Sequence, residues 1–446
     1  MEEAAGQSMG RVAFASFIGT AIEFYDFYIY GTAAALAFSA VFFPVSGGER
    51  AGDLAQLGIY VGFAVAFFAR PVGGVFFGHF GDRVGRKSML IVSLLLMGVA
   101  TFLIGCLPGY ESAGYSALVL LYLLRFVQGF GLGGEWGGAV LLATEHATEG
   151  RRGLYSSFPQ MGPAVGFLAA NLLFLGLVGS LSDEQFVAWG WRVPFLVSIV
   201  LVAVGLYVRV SVSETPAFRR AMETRARVPA LDMVRTYPKV LLLASGAISL
   251  AYVLFYTITT FSLSYGTAEL GLEDSTLLYA ALISVAIMGV AVPIFASLSD
   301  RIGRRRLCLA GALLALVWAF PLFWLFDTGN PVLITVAFSV GMVAFAALYG
   351  PMGAYLPELF GTRLRYSGAS VSYNLGGVLG GALAPIIGSF LLIVAGGSWA
   401  ISLYILLMAA LSFACVFFLS ETHLTDISEM HKEERDLLAD EGVVRE

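Results

Sequence analysis

Apolar residues run along this chain in long continuous blocks separated by short polar interruptions. A helix needs about 20 mostly apolar residues to cross the hydrocarbon core of a bilayer. Twelve blocks reach that length: 12–38, 56–78, 88–107, 116–140, 157–180 and 191–210, then 238–265, 275–298, 306–326, 331–355, 368–394 and 398–419. The blocks are continuous, not alternating, which predicts helices and argues against a membrane barrel. The first carries Glu23 and Asp26 where a cleaved leader would be apolar, so it reads as a span and not as a signal peptide.

The polar interruptions alternate in charge. Arg83, Arg86 and Lys87 follow the second block, Arg151 and Arg152 the fourth, and a group including Arg219, Arg220, Arg225 and Arg227 the sixth. Arg301, Arg304, Arg305 and Arg306 follow the eighth, and Arg363 and Arg365 the tenth. The other connections hold little beyond Arg50 and Arg192. Basic loops stay on the cytoplasmic side, so both termini are expected there, in a multi-pass protein of a plasma or inner membrane.

The two halves repeat each other. Gly-His-Phe-Gly-Asp-Arg-Val-Gly-Arg-Lys at 78–87 is answered by Ala-Ser-Leu-Ser-Asp-Arg-Ile-Gly-Arg-Arg at 296–305, and Glu145 and Arg152 by Glu358 and Arg363. The expected architecture is an all-α membrane protein of twelve helices. An amino-terminal six-helix bundle (1–210), a linker (211–237), a second bundle (238–420) and a short acidic tail (421–446) divide the chain, with a cavity between the bundles.

Composition narrows the function. Charged residues make up 13% and apolar residues 58%, whereas a soluble domain carries about 25% charged residues. A net charge of −5 supplies no basic field for nucleic acid. Cys106, Cys308 and Cys415 lie within apolar blocks at no ligand spacing, so no metal or cofactor is expected. No nucleophile constellation and no phosphate-cradling loop ending in Gly-Lys-Ser/Thr occurs, which argues against an enzyme and against ATP as energy source. No role is assigned to His79, His146, His423 or His431.

Residues in corresponding places carry a resemblance. Gly78, Asp82, Arg83, Gly85, Arg86 and Lys87 match the loop 2–3 signature of the major facilitator superfamily, and the second copy departs at Ala296. The segments 23–27, 70–74, 125–138, 189–194, 357–360 and 365–368 resemble the metabolite:proton symporters, a group that includes shikimate, α-ketoglutarate and proline/betaine permeases. The likeness is strongest to uncharacterised metabolite permeases of the shikimate-type branch. The 26 residues of the tail (421–446) are too few for a sustained coiled coil, so osmotic sensing through such a tail is not expected. The resemblance implies a monomeric carrier that moves a small molecule with protons. It also implies that Asp82, Arg83 and Arg86, with Glu145, Arg152, Asp300, Arg301 and Glu358, lock and release the inner ends of the halves.

Charges inside the blocks point to the site. A charge at the bilayer midplane costs at least about 2.5–3.5 kcal/mol on insertion scales and is functional by default. Five stand out in the first half: Glu23, Asp26, Arg70, Arg125 and Glu135. At about 1.5 Å rise per residue, Asp26 and Arg125 reach similar depth and could pair. Asp26, with Glu23 as the lesser candidate, is read as the proton acceptor and Arg125 as its partner. Arg70 and Glu135 are read as a second pair nearer the basic loops, acting as an inner gate or brace. Arg125 also suits a carboxylate or zwitterion, and Gln160, Asn171, Tyr252, Tyr256, Tyr373 and Asn374 are the further substrate-contact candidates. An uncoupled facilitator or a proton-driven exporter is the alternative on the same fold.

Overall fold

The computed structural model describes residues 9–43, 49–84, 86–145, 147–148, 150–210, 229–362 and 364–425. Six long helices form the first half: α1 (Met9–Ala33, extended through Ala34–Phe38 and Ser39–Phe42), α2 (Glu49–Val84), α3 (Arg86–Cys106), α4 (Tyr115–Glu145), α5 (Arg152–Ser180) and α6 (Arg192–Val210). A short helix, Pro229–Thr236, leads into the second half. There follow α7 (Pro238–Tyr256, extended to Ala268), α8 (Asp274–Ile302), α9 (Arg304–Phe326), α10 (Pro331–Glu358), α11 (Arg365–Gly377, extended to Ala395) and α12 (Trp399–Phe418). No strand occurs among the described residues. Eleven helices are long and apolar enough to cross a membrane by length and composition alone. The twelfth is α1, which carries Glu23 and Asp26 within its length.

Several helices outrun the apolar blocks. α2 starts at Glu49 instead of 56, α5 at Arg152 instead of 157, and α4 continues to Glu145. Hydrophobicity marks the thickness of the hydrocarbon, while backbone hydrogen bonding carries a helix on until something caps it. At α9 that cap comes from beyond α12. The Glu421 carboxylate accepts from the N–H groups of Arg304 (2.8 Å) and Arg305 (3.1 Å). The first tail residues are therefore docked on the second bundle.

Within the first half, α1 packs on α5, α2 on α4, and α3 on α4 and α6. The second half repeats this, with α7 on α11 and α8 on α10. The halves meet through α2 with α11 and through α5 with α8, and also through α4 with α11 and α5 with α10. These are reciprocal pairs under the internal repeat. Among the described residues three long helices carry a π turn, α1 at Ala34–Phe38, α7 at Thr257–Phe261 and α11 at Val378–Ala382, and a fourth, Phe186–Gly190, lies in the connection before α6. Such turns leave backbone groups outside the regular ladder and concentrate at functional sites.

Small residues set the spacing of α2 and α4. A Cβ on Gly73 would stand 1.9 Å from the carbonyl oxygen of Phe130, and one on Gly129 2.1 Å from that of Ala66. Backbone meets backbone there, so nothing flexible can yield. Gly73→Ala or Gly129→Ala should destabilise the fold by about 1–3 kcal/mol through overpacking, read as a lower melting temperature in detergent. Gly176→Ala, with nothing within 4 Å of its Cβ, should leave that temperature unchanged.

Candidate functional site

At the centre, aromatic rings from both halves close around a small chamber of about 20 Å³, lined by Tyr28, Tyr252, Tyr256, Tyr349, Tyr373 and Pro163. Tyr28 and Phe255 stack across the halves at 5.4 Å, and Trp136 lies flat on Tyr373 at 3.9 Å. Tyr28 and Tyr256 also line a second cavity of about 290 Å³, together with Thr32, Asn171, Thr259 and Asp274. That cavity lies on the side away from the basic loops, and the π turns of α1 and α7 form part of its wall. Sharing Tyr28 and Tyr256, the chamber adjoins this vestibule.

Three buried charges lie behind the chamber wall and none of them lines it: Asp26 is 0% exposed, Arg125 0% and Arg70 1%. Phe27 sits between the two cations, with the Arg70 guanidinium 4.2 Å and the Arg125 guanidinium 5.0 Å from its ring centre. Arg125 lies closer to Tyr30, at 3.6 Å, and donates from Nε to the Gly62 carbonyl (3.2 Å). Such ring contacts are worth about 0.5–2 kcal/mol each. They do not saturate the donors. Nε and Nη2 of Arg70, Nη2 of Arg125 and both carboxylate oxygens of Asp26 are buried with no hydrogen-bond partner.

Asp26 and Arg125 form no ion pair among the described residues, so the expected direct contact is absent. Gln128 stands between them. Arg125 Nη1 donates to its Oε1, and its Nε2 donates to the Asp26 carbonyl oxygen (2.8 Å) and to Thr101 Oγ1 (2.8 Å). Nor does Glu135 meet Arg70. It is bound by Arg209 of α6, which also holds Glu23. Both acids expected in other roles thus belong to one triad inside the first half.

The end that carries the basic loops is sealed. Asn374 Nδ2 donates to the Gly133 carbonyl (2.7 Å) and Tyr366 Oη to that of Gly134 (2.5 Å), tying α11 to α4. Gln160 Nε2 donates to the Tyr349 carbonyl (2.8 Å), and its Oε1 accepts from Trp136 Nε1 (2.6 Å). Asp300 caps α5 from the other half, accepting from the N–H groups of Gly153 (2.8 Å) and Leu154 (3.0 Å). Glu145 and Arg365 form an ion pair across the seam at 3.7 Å.

A sequence model described as the Major Facilitator Superfamily matches residues 16–377. The chain belongs to the Major Facilitator Superfamily. It is 46% identical over 422 residues to the inner membrane metabolite transport protein YhjE of Escherichia coli K12, covering 93% of this chain and 95% of that one. It is 38% identical over 406 residues to the shikimate transporter of the same organism, with coverage of 89% and 91%. A structure of the proton:xylose symporter XylE superposes with a TM-score of 0.75 at 16% identity, over 96% of this chain and 98% of that one, a likeness of fold. The chain is a multi-pass membrane transporter of metabolites and not an enzyme.

In this superfamily member the sequence candidates separate into three places. Tyr252, Tyr256 and Tyr373 line the chamber, and Asn171 lines the vestibule, where it accepts from Thr32 Oγ1 (2.9 Å). Gln160 and Asn374 belong to the seal instead of the cavity, because both are spent on carbonyls of the opposite half. Glu145 takes Arg365, Arg152 donates to the Thr425 carbonyl (2.7 Å), and Glu358 takes Arg304 (3.4 Å). Arg301 is exposed. The side chains of Asp82, Arg83 and Arg86, and residues Arg363, His146 and His431, lie outside the described residues. The second half also holds a buried charge cluster, Arg304 with Asp300 and Glu358, that the apolar blocks did not reveal.

Arg209, Gln128, Trp136, Tyr28 and Tyr349 escaped the sequence reading of the site. Gln128 alone had a usable signal, since it stands three residues from Arg125 on one helix face. Removing the Asp300 cap by Asp300→Ala should weaken the seal by about 0.5–2 kcal/mol, a shift of roughly 2- to 30-fold toward an opened basic end. A single cysteine at Ser370, in a chain whose native cysteines are replaced by serine, should then react correspondingly faster with a soluble maleimide.

Proposed function

We propose that this chain is a secondary active symporter that carries a small organic acid or zwitterion together with protons. Both termini lie in the cytoplasm, and the carrier works as a monomer within the bilayer of a plasma or inner membrane. The observation that carries the reading is the unsaturated trio: a buried carboxylate and two buried guanidiniums whose free donors and acceptors do not meet. The basic loops favour a cytoplasmic assignment for the sealed end. The vestibule then faces outward, as it must to load substrate. The proton:xylose symporter that shares this fold supports proton coupling, and the shikimate transporter among the relatives supports a small organic acid as substrate.

The chemistry follows from charge. With Asp26 ionised, Arg70 and Arg125 leave one surplus positive charge at the chamber. A guanidinium binds a carboxylate as a fork, so a substrate carboxylate descending the vestibule meets the open nitrogens of Arg70 and Arg125 beside the tyrosine hydroxyls. Occupying those cations removes the counter-charge of Asp26, and a buried carboxylate without one takes a proton. Substrate and proton thereby arrive together. Gln128 is the hinge of this exchange, because it links the Arg125 guanidinium to the backbone of α1 at Asp26. The seal at the inner end is then free to open on a cavity whose charges are balanced.

In proteoliposomes, Asp26→Asn should lose accumulation against a gradient while substrate exchange at equal concentrations continues; full accumulation by that variant would defeat the assignment. Dissipating the pH gradient with an ionophore should stop uptake by the wild type, and undiminished uptake would favour the facilitator. Arg70→Lys and Arg125→Lys keep the charge but lose the fork. Each should raise the KM for a carboxylate substrate about 10- to 100-fold, in line with the roughly 1.5–3 kcal/mol of a hydrogen bond to a charged group.

A further inference from the structure

One polar side chain from each of four helices of the first half converges on a point away from the chamber. Arg209 of α6 donates to Glu23 of α1 and to both oxygens of Glu135 of α4, and Ser93 of α3 donates to Glu135 Oε2 (2.6 Å). Glu23 and Glu135 are each 1% exposed and Arg209 is 7% exposed. The other oxygen of Glu23 is buried with no partner. The triad holds two carboxylates and one guanidinium, so with both acids ionised it would bury a net negative charge, which apolar surroundings penalise heavily. A single proton shared between the acids removes that charge.

The surroundings supply a route for it. Glu23 and Asp26 are three residues apart on α1 and therefore neighbours on one helix face. On the other side of the triad, a cavity of about 20 Å³ is lined by Ser16, Lys87, Leu90, Glu135, Ala139 and Arg209. A volume of about 10–15 Å³ or more admits one water if polar partners surround it. Here they do: Ser16 Oγ is buried and unpartnered, and Glu135 and Arg209 face the same space. Lys87, at the start of α3, borders this space toward the basic end and donates to the Val210 carbonyl (2.7 Å). The charged groups around the pair are thus Arg209 from α6, Lys87 from α3 and Asp26 one turn along α1.

We propose that Glu23 and Glu135, clamped by Arg209, form a second proton-binding site and release its proton to the basic end through the Ser16 cavity. The route runs inside the amino-terminal bundle, behind the sealed substrate path. Each transfer breaks an O–H bond at one carboxyl and forms one at the next, from Asp26 to Glu23 to Glu135, and the last passes the proton to water. This rests on proton coupling at Asp26. The stored proton itself is a property of the triad and is measurable without any substrate.

The test is infrared difference spectroscopy of the purified, reconstituted protein through a pH jump, in an Asp26→Asn background that removes the first acid. A carboxylic C=O band should be present at neutral pH and should vanish in Glu23→Gln and equally in Glu135→Gln. Either substitution leaves one acid facing one guanidinium, a pair that is neutral without a proton. Both amides keep the hydrogen-bonding capacity of the site, and a retained melting temperature would verify that each variant is folded. A spectrum with no such band, or a band that survives both substitutions, would overturn the proposal and leave the triad a static brace. Gly19→Ala gives an independent check, since its Cβ would stand 2.7 Å from Arg209 Nη2. Displacing the clamp should shift the band without removing it, and an unmoved band would count against Arg209 as the clamp. Loss of accumulation in Asp26→Asn is read in a separate assay, so failure of the symport reading and failure of this one remain distinguishable.

Discussion

The structure depends on the cost of holding charge away from water. Every ionised group in the interior must be matched or must be there to be matched by something else. Most are matched. Arg209 is shared between Glu23 and Glu135, Arg304 is held by Asp300 and Glu358, and Glu145 meets Arg365. Asp26, Arg70 and Arg125 keep open valences behind the wall of a chamber that aromatic rings of both halves surround. Among the described residues the other buried charges are paired and this trio is not, which is why the proposed reading seats a charged guest there. That contrast says more than the presence of any single intramembrane residue.

Packing explains how such a site can face one side and then the other. Inside each half the contacts are close and backbone-deep, as at Gly73 against Phe130 and Gly129 against Ala66. Structures packed so tightly move as units, because small shifts within them are penalised at many atoms together. The reciprocal contacts of α2 with α11 and of α5 with α8 give the units a seam to rock on. The π turns of α1 and α7 fall at the vestibule wall, where local repacking of a helix disturbs no buried ion pair.

Much of this was legible in the chain. Blocks of the right length predicted the helices because lipid offers backbone groups no alternative partner, and the repeated Asp-Arg-x-Gly-Arg loops predicted two equivalent halves. Asp26, Arg70 and Arg125 announced themselves by their cost. What could not be read was direction. Arg209 falls at the edge of a block, and a long basic side chain there usually snorkels to the interface; it turns inward instead because Glu23 and Glu135 await it. Gln160 and Asn374 looked like cavity groups, yet a helix that is apolar all round does not declare which face meets a neighbour and which meets a cavity. The Asp26–Arg125 pairing failed for a related reason. Depth along two helices was right, but rotation placed neutral Gln128 between them, and its place three residues from Arg125 was the one hint of that.

The seal shows why opening need not disturb the charged core of either bundle. Asn374, Tyr366 and Gln160 are uncharged donors, and each reaches a main-chain carbonyl of the opposite half. Asp300 reaches N–H groups at the start of α5 while its own half supplies Arg304 as counter-ion. When the seam parts toward the basic end, water replaces each neutral bond at little net cost, and the triads within the bundles keep their partners. Among the described residues one ion pair, Glu145 with Arg365, crosses the seam and must be resolvated. A gate built mainly from exchangeable neutral bonds, set between bundles braced by buried ion pairs, puts its weakest plane where alternating access requires movement. On the proposed reading, the energy that tips it comes from filling the open valences of Arg70, Arg125 and Asp26, which changes the charge that the closed state must hold.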